Sequence, residues 1–173
     1  MEIKEGYVYH INNSYFELVN DNKLMKNHEG NATRPNYFCV RIDNEEILWF
    51  IPMSSRTEKY SKIIENKIKK YKKCDTIVIG NYKGRKHAFL IQNMFPITSK
   101  YIDHIDTVQG KALQVPSETR REILEKVNKV FRLKKKRDKF NISRCWKNWK
   151  NTERRNKKIK RSKKWTKSKY MNI

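Results

Sequence analysis

Four things are scarce in this chain, and each scarcity removes a class of function. Its three cysteines, Cys39, Cys74 and Cys145, stand far apart without a C-x-x-C spacing, and no His/Cys cluster has zinc-ligand spacing. They read as reduced, packed or incidental thiols, neither a disulfide framework nor a metal site. Long apolar runs are missing too. No charged segment followed by an apolar one opens the chain, and nothing approaches the ~18 apolar residues that span a bilayer, so a soluble cytoplasmic protein is expected. Neither G-x-x-x-x-G-K-[ST] nor G-x-G-x-x-G occurs, which disfavours nucleotide-triphosphate and dinucleotide sites. Acids are few, and they fall mostly in expected turns or on solvated helix faces. No carboxylate cluster suited to Mg²⁺ is in view, so neither metal nor cofactor is expected.

What is abundant is positive charge. The 173 residues hold 41 Lys+Arg against 18 Asp+Glu, unevenly spread: residues 134–173 carry 18 basic and 2 acidic side chains, leaving 23 and 16 for residues 1–133. The formal charges are then +16 for the tail and +7 for the body. Such a field attracts polyanions, nucleic acid first and an anionic membrane surface second. A body of ordinary domain size (1–133) with a Lys/Arg/Trp-rich tail (134–173) follows from this composition. The tail's Phe140, Ile142, Trp146, Trp149, Ile159 and Trp165 are too few to build a core against that much like charge, so disorder or partial helix is expected there.

Within the body, Gly6–Ile11 reads as a strand. Asn12 or Asn13 then offers an N-cap for a short helix through Tyr15 to about Asp21. Residues 22–36 lack apolar periodicity and read as an ordered or mobile loop carrying His28 and Arg34. Tyr37–Ile42 and Ile47–Pro52 form a hairpin around Asp43–Glu46. Ser55 and Glu58 match a capping box, and Tyr60, Ile63, Ile64, Ile68 and Tyr71 make the core-facing stripe of the helix that follows. A second hairpin pairs Thr76–Asn81 with His87–Gln92 across Tyr82–Arg85, with Gly84 in the turn. Phe95-Pro-Ile97 is a buried crossover, and Tyr101–Ile105 suits one short element. Ser117 caps a last helix whose apolar face is Ile123, Leu124, Val127, Val130 and Phe131. The body is expected to be α+β, an antiparallel sheet with three or four helices.

The densest chemistry lies at the strand-to-helix junction Phe50-Ile-Pro-Met-Ser54-Ser55-Arg56. Two hydroxyls, backbone N–H groups and a guanidinium at a helix N-terminus suit phosphate, and a plain capping box would use the same helix end. His28 and Arg34 either sit on an ordinary surface loop or supply a proton shuttle and a phosphate clamp to an adjacent site. Tyr15, one turn into the first helix, fits a core position as readily as a catalytic one.

Several segments occur in an ordered succession: Tyr9 to Tyr15, Asn27-His-Glu-Gly30, Arg34-Pro-Asn-Tyr-Phe38, Leu48-Trp-Phe-Ile-Pro-Met-Ser-Ser55 and Glu58-Lys-Tyr60. Lys73-Cys-Asp-Thr76, Gln92-Asn-Met-Phe-Pro-Ile97 and Tyr101-Ile-Asp-His104 continue it. This order, over roughly residues 5–131, resembles the type III toxin–antitoxin toxins, and among them the CptN branch of the ToxN/AbiQ-like families. The resemblance implies a compact, strongly twisted antiparallel sheet flanked by helices, similar to Kid/MazF-like toxins. It implies a metal-independent, sequence-preferring endoribonuclease that leaves a 2′,3′-cyclic phosphate and a 5′-hydroxyl. Its implied partners are cellular RNA substrates and a repetitive, pseudoknotted antitoxin RNA, cut from its precursor and held in a closed protein–RNA assembly. Phage defence is an implied role.

In that chemistry the RNA's 2′-hydroxyl is the nucleophile. The family's hydroxyl pair carries over to Ser54 and Ser55, and its N-terminal aromatic hydroxyl to Tyr15, with His28 as a possible acid or base. ToxN-like members place a lysine after the loop proline, where this chain has Asn36; Arg34, Arg56 and Lys59 are the substitutes for charge stabilisation. Arg34, Asn36, Arg56 and Lys59 are thus the expected RNA- and phosphate-binding set. The tail is a second departure, read either as an RNA-holding arm or as an irrelevant extension. A non-catalytic RNA- or DNA-binding protein is the alternative, in which the serine junction is only a cap. A peripheral membrane binder fits less well, because the tail lacks a continuous amphipathic stripe.

Overall fold

The structure is a computed structural model that describes residues 2–22, 24–29, 32–41 and 47–136. Its elements, in chain order, are β1 (Val8–Ile11), α1 (Asn13–Val19), β2 (His28–Glu29), β3 (Ala32–Thr33), β4 (Asn36–Arg41), β5 (Ile47–Ser54) and α2 (Thr57–Tyr71). There follow β6 (Val78–Tyr82), β7 (Arg85–Phe89), β8 (Phe95–Thr98), β9 (Ile102–Ile105), β10 (Thr107–Val108), β11 (Lys111–Ala112) and α3 (Ser117–Lys136). The expected α+β class is observed: a seven-stranded antiparallel sheet with three helices.

Strand β5 organises the sheet. One side pairs along its length with β4, with Phe38 opposite Phe50. The other side is shared, β8 covering Ile47–Phe50 and β7 covering Met53–Ser54. All eight β5 residues are buried, as the run Trp49-Phe-Ile51 leads one to expect of a strand covered on both faces. A proline is ordinarily excluded from a central strand because it lacks a ladder donor. Pro52 escapes that cost by position. The Met53 N–H bonds the Pro35 carbonyl on the β4 side, so the Pro52 nitrogen faces the opposite side, in the gap between the end of β8 pairing at Phe50 and the start of β7 pairing at Met53. Its carbonyl, on that same side, accepts from Leu90 N–H at 3.1 Å.

The core is aromatic. Phe50 stacks on Phe38 at 5.2 Å, and Tyr15 of α1 meets Phe95 and Tyr101 at 5.5 and 5.4 Å. Each such pair adds about 0.5–1.5 kcal/mol beyond its area. Burial also pushes the Cys39 thiol up to about 12, leaving an inert packed cysteine. α3 lays Ile123, Val127 and Val130 on this core. A second, smaller cluster of Tyr60, Cys74, Ile77, Ala88 and Leu90 fixes α2 against β6 and β7.

Several expectations need correction. α1 ends at Val19, two residues early, because Asn20 turns left-handed and its N–H caps the Phe16 carbonyl. The second hairpin turns on only Lys83-Gly84, both at positive φ, while Tyr82 and Arg85 already pair. The capping box does not form: α2 begins at Thr57, and its cap, Arg56, makes no side-chain capping bond. The α2 stripe is buried only in its first half, with Ile68 and Tyr71 46% and 59% exposed where the helix overhangs the sheet. In α3, Leu124 is 39% exposed and leaves the apolar face of the helix. The tail beyond residue 136, and the Asp43–Glu46 turn, lie outside the described residues.

Candidate anion-binding site

Residues 24–29 and 32–35 are tied into the fold by a short ribbon and side-chain bonds. β2 and β3 make a two-residue ribbon with His28 opposite Thr33. Asn27 is buried, and its amide donates to the Ile11 carbonyl (2.8 Å) and to Asn13 Oδ1 (2.7 Å), pinning the segment to the β1–α1 corner. Arg34, 8% exposed, donates from Nε to the Lys26 carbonyl (3.0 Å) and from Nη1 to the Met53 carbonyl (2.9 Å). A buried guanidinium thereby clamps the segment onto the end of β5, and charge-assisted bonds of this kind are worth about 1.5–3 kcal/mol each.

At that strand end the chain turns into α2 through Ser54, whose buried Oγ accepts from Arg56 N–H at 3.3 Å, while the Ser55 carbonyl accepts from Thr57 N–H at 2.8 Å. This serine turn replaces the expected capping box. Tyr60, held in the smaller core cluster, fixes the first turn of α2 and carries Lys59, whose Nζ lies 5.9 Å from the Tyr60 ring centre.

These pieces enclose an open concavity of about 330 Å³. Ser54 and Arg34 form its buried floor; Lys26, His28, Arg56 and Lys59 stand exposed around it, with Met25 and Tyr60 completing the wall. Its described lining holds four cationic side chains, a histidine and the hydroxyls of Ser54 and Tyr60, and no carboxylate. An anion with several oxygen acceptors is what such a surface fits, since a half-enclosed cluster of positive groups concentrates negative charge.

His28 has a defined tautomer in its neutral form. Its Nε2 lies 3.0 Å from Asn13 Oδ1, an atom that can only accept and that already accepts from Asn27. Nε2 therefore carries the ring proton and Nδ1 the lone pair, which makes Nδ1 the atom able to take a proton.

Of the eight residues expected from the sequence, the structure brings five together: His28, Arg34, Ser54, Arg56 and Lys59. The other three lie apart. Tyr15 is fully buried, and its hydroxyl donates to the Pro96 carbonyl at 2.8 Å, so it is a core residue. Asn36, also buried, donates to the Arg34 carbonyl at 2.8 Å and supports the clamp instead of meeting a ligand. Ser55 is exposed beside the pocket but does not line it. Sequence reasoning missed Lys26 and Asn27. Lys26 is one lysine among many, and only the Arg34 bond to its carbonyl shows why it stands where it does.

No protein-family model matches the chain, and no curated protein matches it. Among solved structures, AbiQ, a lactococcal anti-phage endoribonuclease belonging to the type-III toxin–antitoxin system, superposes with a TM-score of 0.46 at 12% identity, over 85% of this chain and 78% of the AbiQ chain. Residue roles in this chain rest instead on its own motifs and on the geometry of the pocket.

Proposed function

We propose that the chain is an endoribonuclease toxin of a type III toxin–antitoxin system that cuts RNA without a metal ion. The observation that carries this reading is the convergence of His28, Arg34, Ser54, Arg56 and Lys59, from two separate segments, on one concavity whose described lining holds no carboxylate. The ordered motifs that resemble the CptN branch supply the reaction class.

The chemistry needs four acts: a proton must leave the ribose 2′-hydroxyl, the phosphate must lie in line, its growing charge must be met, and the leaving 5′-oxygen must be protonated. The 2′-oxygen forms a bond to phosphorus as the P–O5′ bond breaks, giving a 2′,3′-cyclic phosphate and a 5′-hydroxyl. In this reading His28 Nδ1 serves one of the two proton transfers, taking the 2′-hydroxyl proton as base or, once protonated, giving one to the leaving 5′-oxygen as acid, and water serves the other. Lys59 and Arg56 meet the non-bridging oxygens from the rim, and Arg34 adds its charge from the floor. The Ser54 hydroxyl, whose oxygen already accepts from Arg56 N–H, donates a hydrogen bond to a phosphate oxygen. Cellular RNA is the substrate, and a repetitive antitoxin RNA is both a substrate, as precursor, and an inhibitor within a closed protein–RNA assembly. Phage defence in the cytoplasm is the proposed role.

The test is cleavage by the full-length protein in excess EDTA, with the product termini identified, for wild type, Ser54→Ala and His28→Ala. Cyclic phosphate ends are expected from wild type, with His28→Ala slower by about 10²–10⁴-fold and Ser54→Ala also impaired. A folded wild type that binds RNA, candidate precursor repeats included, and cuts none would instead be a non-catalytic RNA- or DNA-binding protein.

A further inference from the structure

A polar cluster that the proposed reaction does not use lies where β1, β9, the β6–β7 turn and β3 meet. Asp106, just after β9, accepts from Tyr82 Oη at 3.1 Å and from Lys83 Nζ at 2.6 Å, and its Oδ1 faces His10 Nε2 at 3.5 Å. Lys83 also donates to the Thr107 carbonyl at 2.9 Å. Burial works to raise the Asp106 pKa, but hydrogen bonds from His10, Lys83 and Tyr82 and the Lys83 charge outweigh it and hold the carboxyl at about 2. The group is a carboxylate at any physiological pH and can only accept.

That fixes the next link. In neutral His10 the ring proton sits on Nε2, toward Asp106, so Nδ1 accepts from the Thr33 hydroxyl at 2.7 Å. The ring's plane is set from a third side by its cross-strand partner His104, stacked 4.5 Å away at 16°. The chain of contacts ends on Thr33, the residue opposite His28 in the ribbon and directly before Arg34. Residues opposite one another in an antiparallel pair project to the same face. A ribbon of two residues a side does not hold its own shape in water, so its anchors decide where His28 stands. Asn13 and Asn27 hold the β2 strand; the described residue whose side chain meets Thr33 on the facing strand is His10.

We propose that His10 is a positioning residue for the cleavage site: braced by Asp106, it grips the Thr33 hydroxyl and through the β2–β3 ribbon sets His28 and Arg34 at the pocket. Its catalytic consequence rests on the endoribonuclease reading; the brace itself does not. Neither His10 nor Thr33 itself lines the pocket, so their removal acts on the turnover of bound RNA more than on its capture.

The experiment compares full-length wild type, Thr33→Val, Thr33→Ser and Asp106→Asn. It measures kcat and KM on a single-stranded oligoribonucleotide, together with amide hydrogen exchange across residues 27–34. Thr33→Val keeps the side chain's shape and loses the hydroxyl. It is expected to lower kcat by about 10–100-fold, the scale of a misplacement near 1 Å, with KM within about twofold, and to speed exchange in the ribbon. Thr33→Ser restores both, and Asp106→Asn falls between. Wild-type exchange across 27–34 in Thr33→Val overturns the proposal. If wild type cuts no RNA, the endoribonuclease reading fails separately, and the exchange comparison alone decides the brace.

Discussion

His28 and Tyr15 both carry groups able to move a proton, and burial separates their roles. His28 is exposed at the pocket with its tautomer set by Asn13, whereas the Tyr15 hydroxyl is committed to the Pro96 carbonyl inside the core. Tyr15→Phe is therefore expected to leave RNA cleavage within about twofold of wild type. It should cost about 1–3 kcal/mol in denaturant unfolding, since a buried carbonyl loses its donor. A large fall in cleavage without loss of stability would return Tyr15 to the reaction. The two residues also differ in what the sequence disclosed. Tyr15 sits on the apolar side of a short helix, a position that core and catalytic tyrosines share, and no local signal separates them. Arg34 was legible as a cation near the site, but not as a buried clamp, because its acceptors are backbone carbonyls at Lys26 and Met53, 8 and 19 residues away.

Among elements, α2 and α3 both rest on apolar residues, and they differ in how closely they approach the sheet. α2 is held by a few apolar residues of its first half, and that is also the half that carries Lys59 to the pocket. α3 also comes close to β6: an added methyl at Gly80 would stand 2.3 Å from Thr119 Cγ2, with no room for it unless the Thr119 side chain or the helix shifts. Gly80→Ala is expected to destabilise the protein by about 1–3 kcal/mol, read as a lower denaturant midpoint, and Thr119→Ala in the same chain to recover part of the loss. Equal stability of Gly80→Ala and wild type would mean that Thr119 rotates away freely. Helix existence was legible from spacing, because the 3.6-residue period of apolar side chains is a local signal. Helix onset and the depth of each stripe were not. Whether Ser55 caps α2 depends on where β5 ends, and whether Ile68, Tyr71 or Leu124 is covered depends on how far the sheet reaches beneath them.

For the whole molecule the governing quantity is charge. Residues 137–173 hold 15 of the 41 basic side chains and 2 of the acids. If that segment engages RNA, its deletion should flatten the plot of log affinity against log salt by about 0.7 for each single-strand phosphate that the segment neutralises. An unchanged slope would confine RNA binding to residues 1–136. Composition and pattern alone determined the α+β class, the two hairpins, the absence of a nucleotide-binding glycine loop, the basic balance and four of the residues that line the pocket, His28, Arg34, Ser54 and Arg56, with Lys59 added by the family resemblance. These are properties of neighbours along the chain, written in periodicity, turn residues and residue type. Only the tertiary structure decided that those five converge, that Asn36 and Tyr15 stand apart, and that His10, Asp106 and Thr33 connect behind the ribbon. Each of those facts depends on segments far apart in sequence meeting in space, such as the 23 residues from His10 to Thr33 and the 24 from Tyr82 to Asp106. Such meetings are set by how β1, β5 and β9 pack in one sheet, and a side chain's local sequence does not encode which distant partner the fold will bring to it.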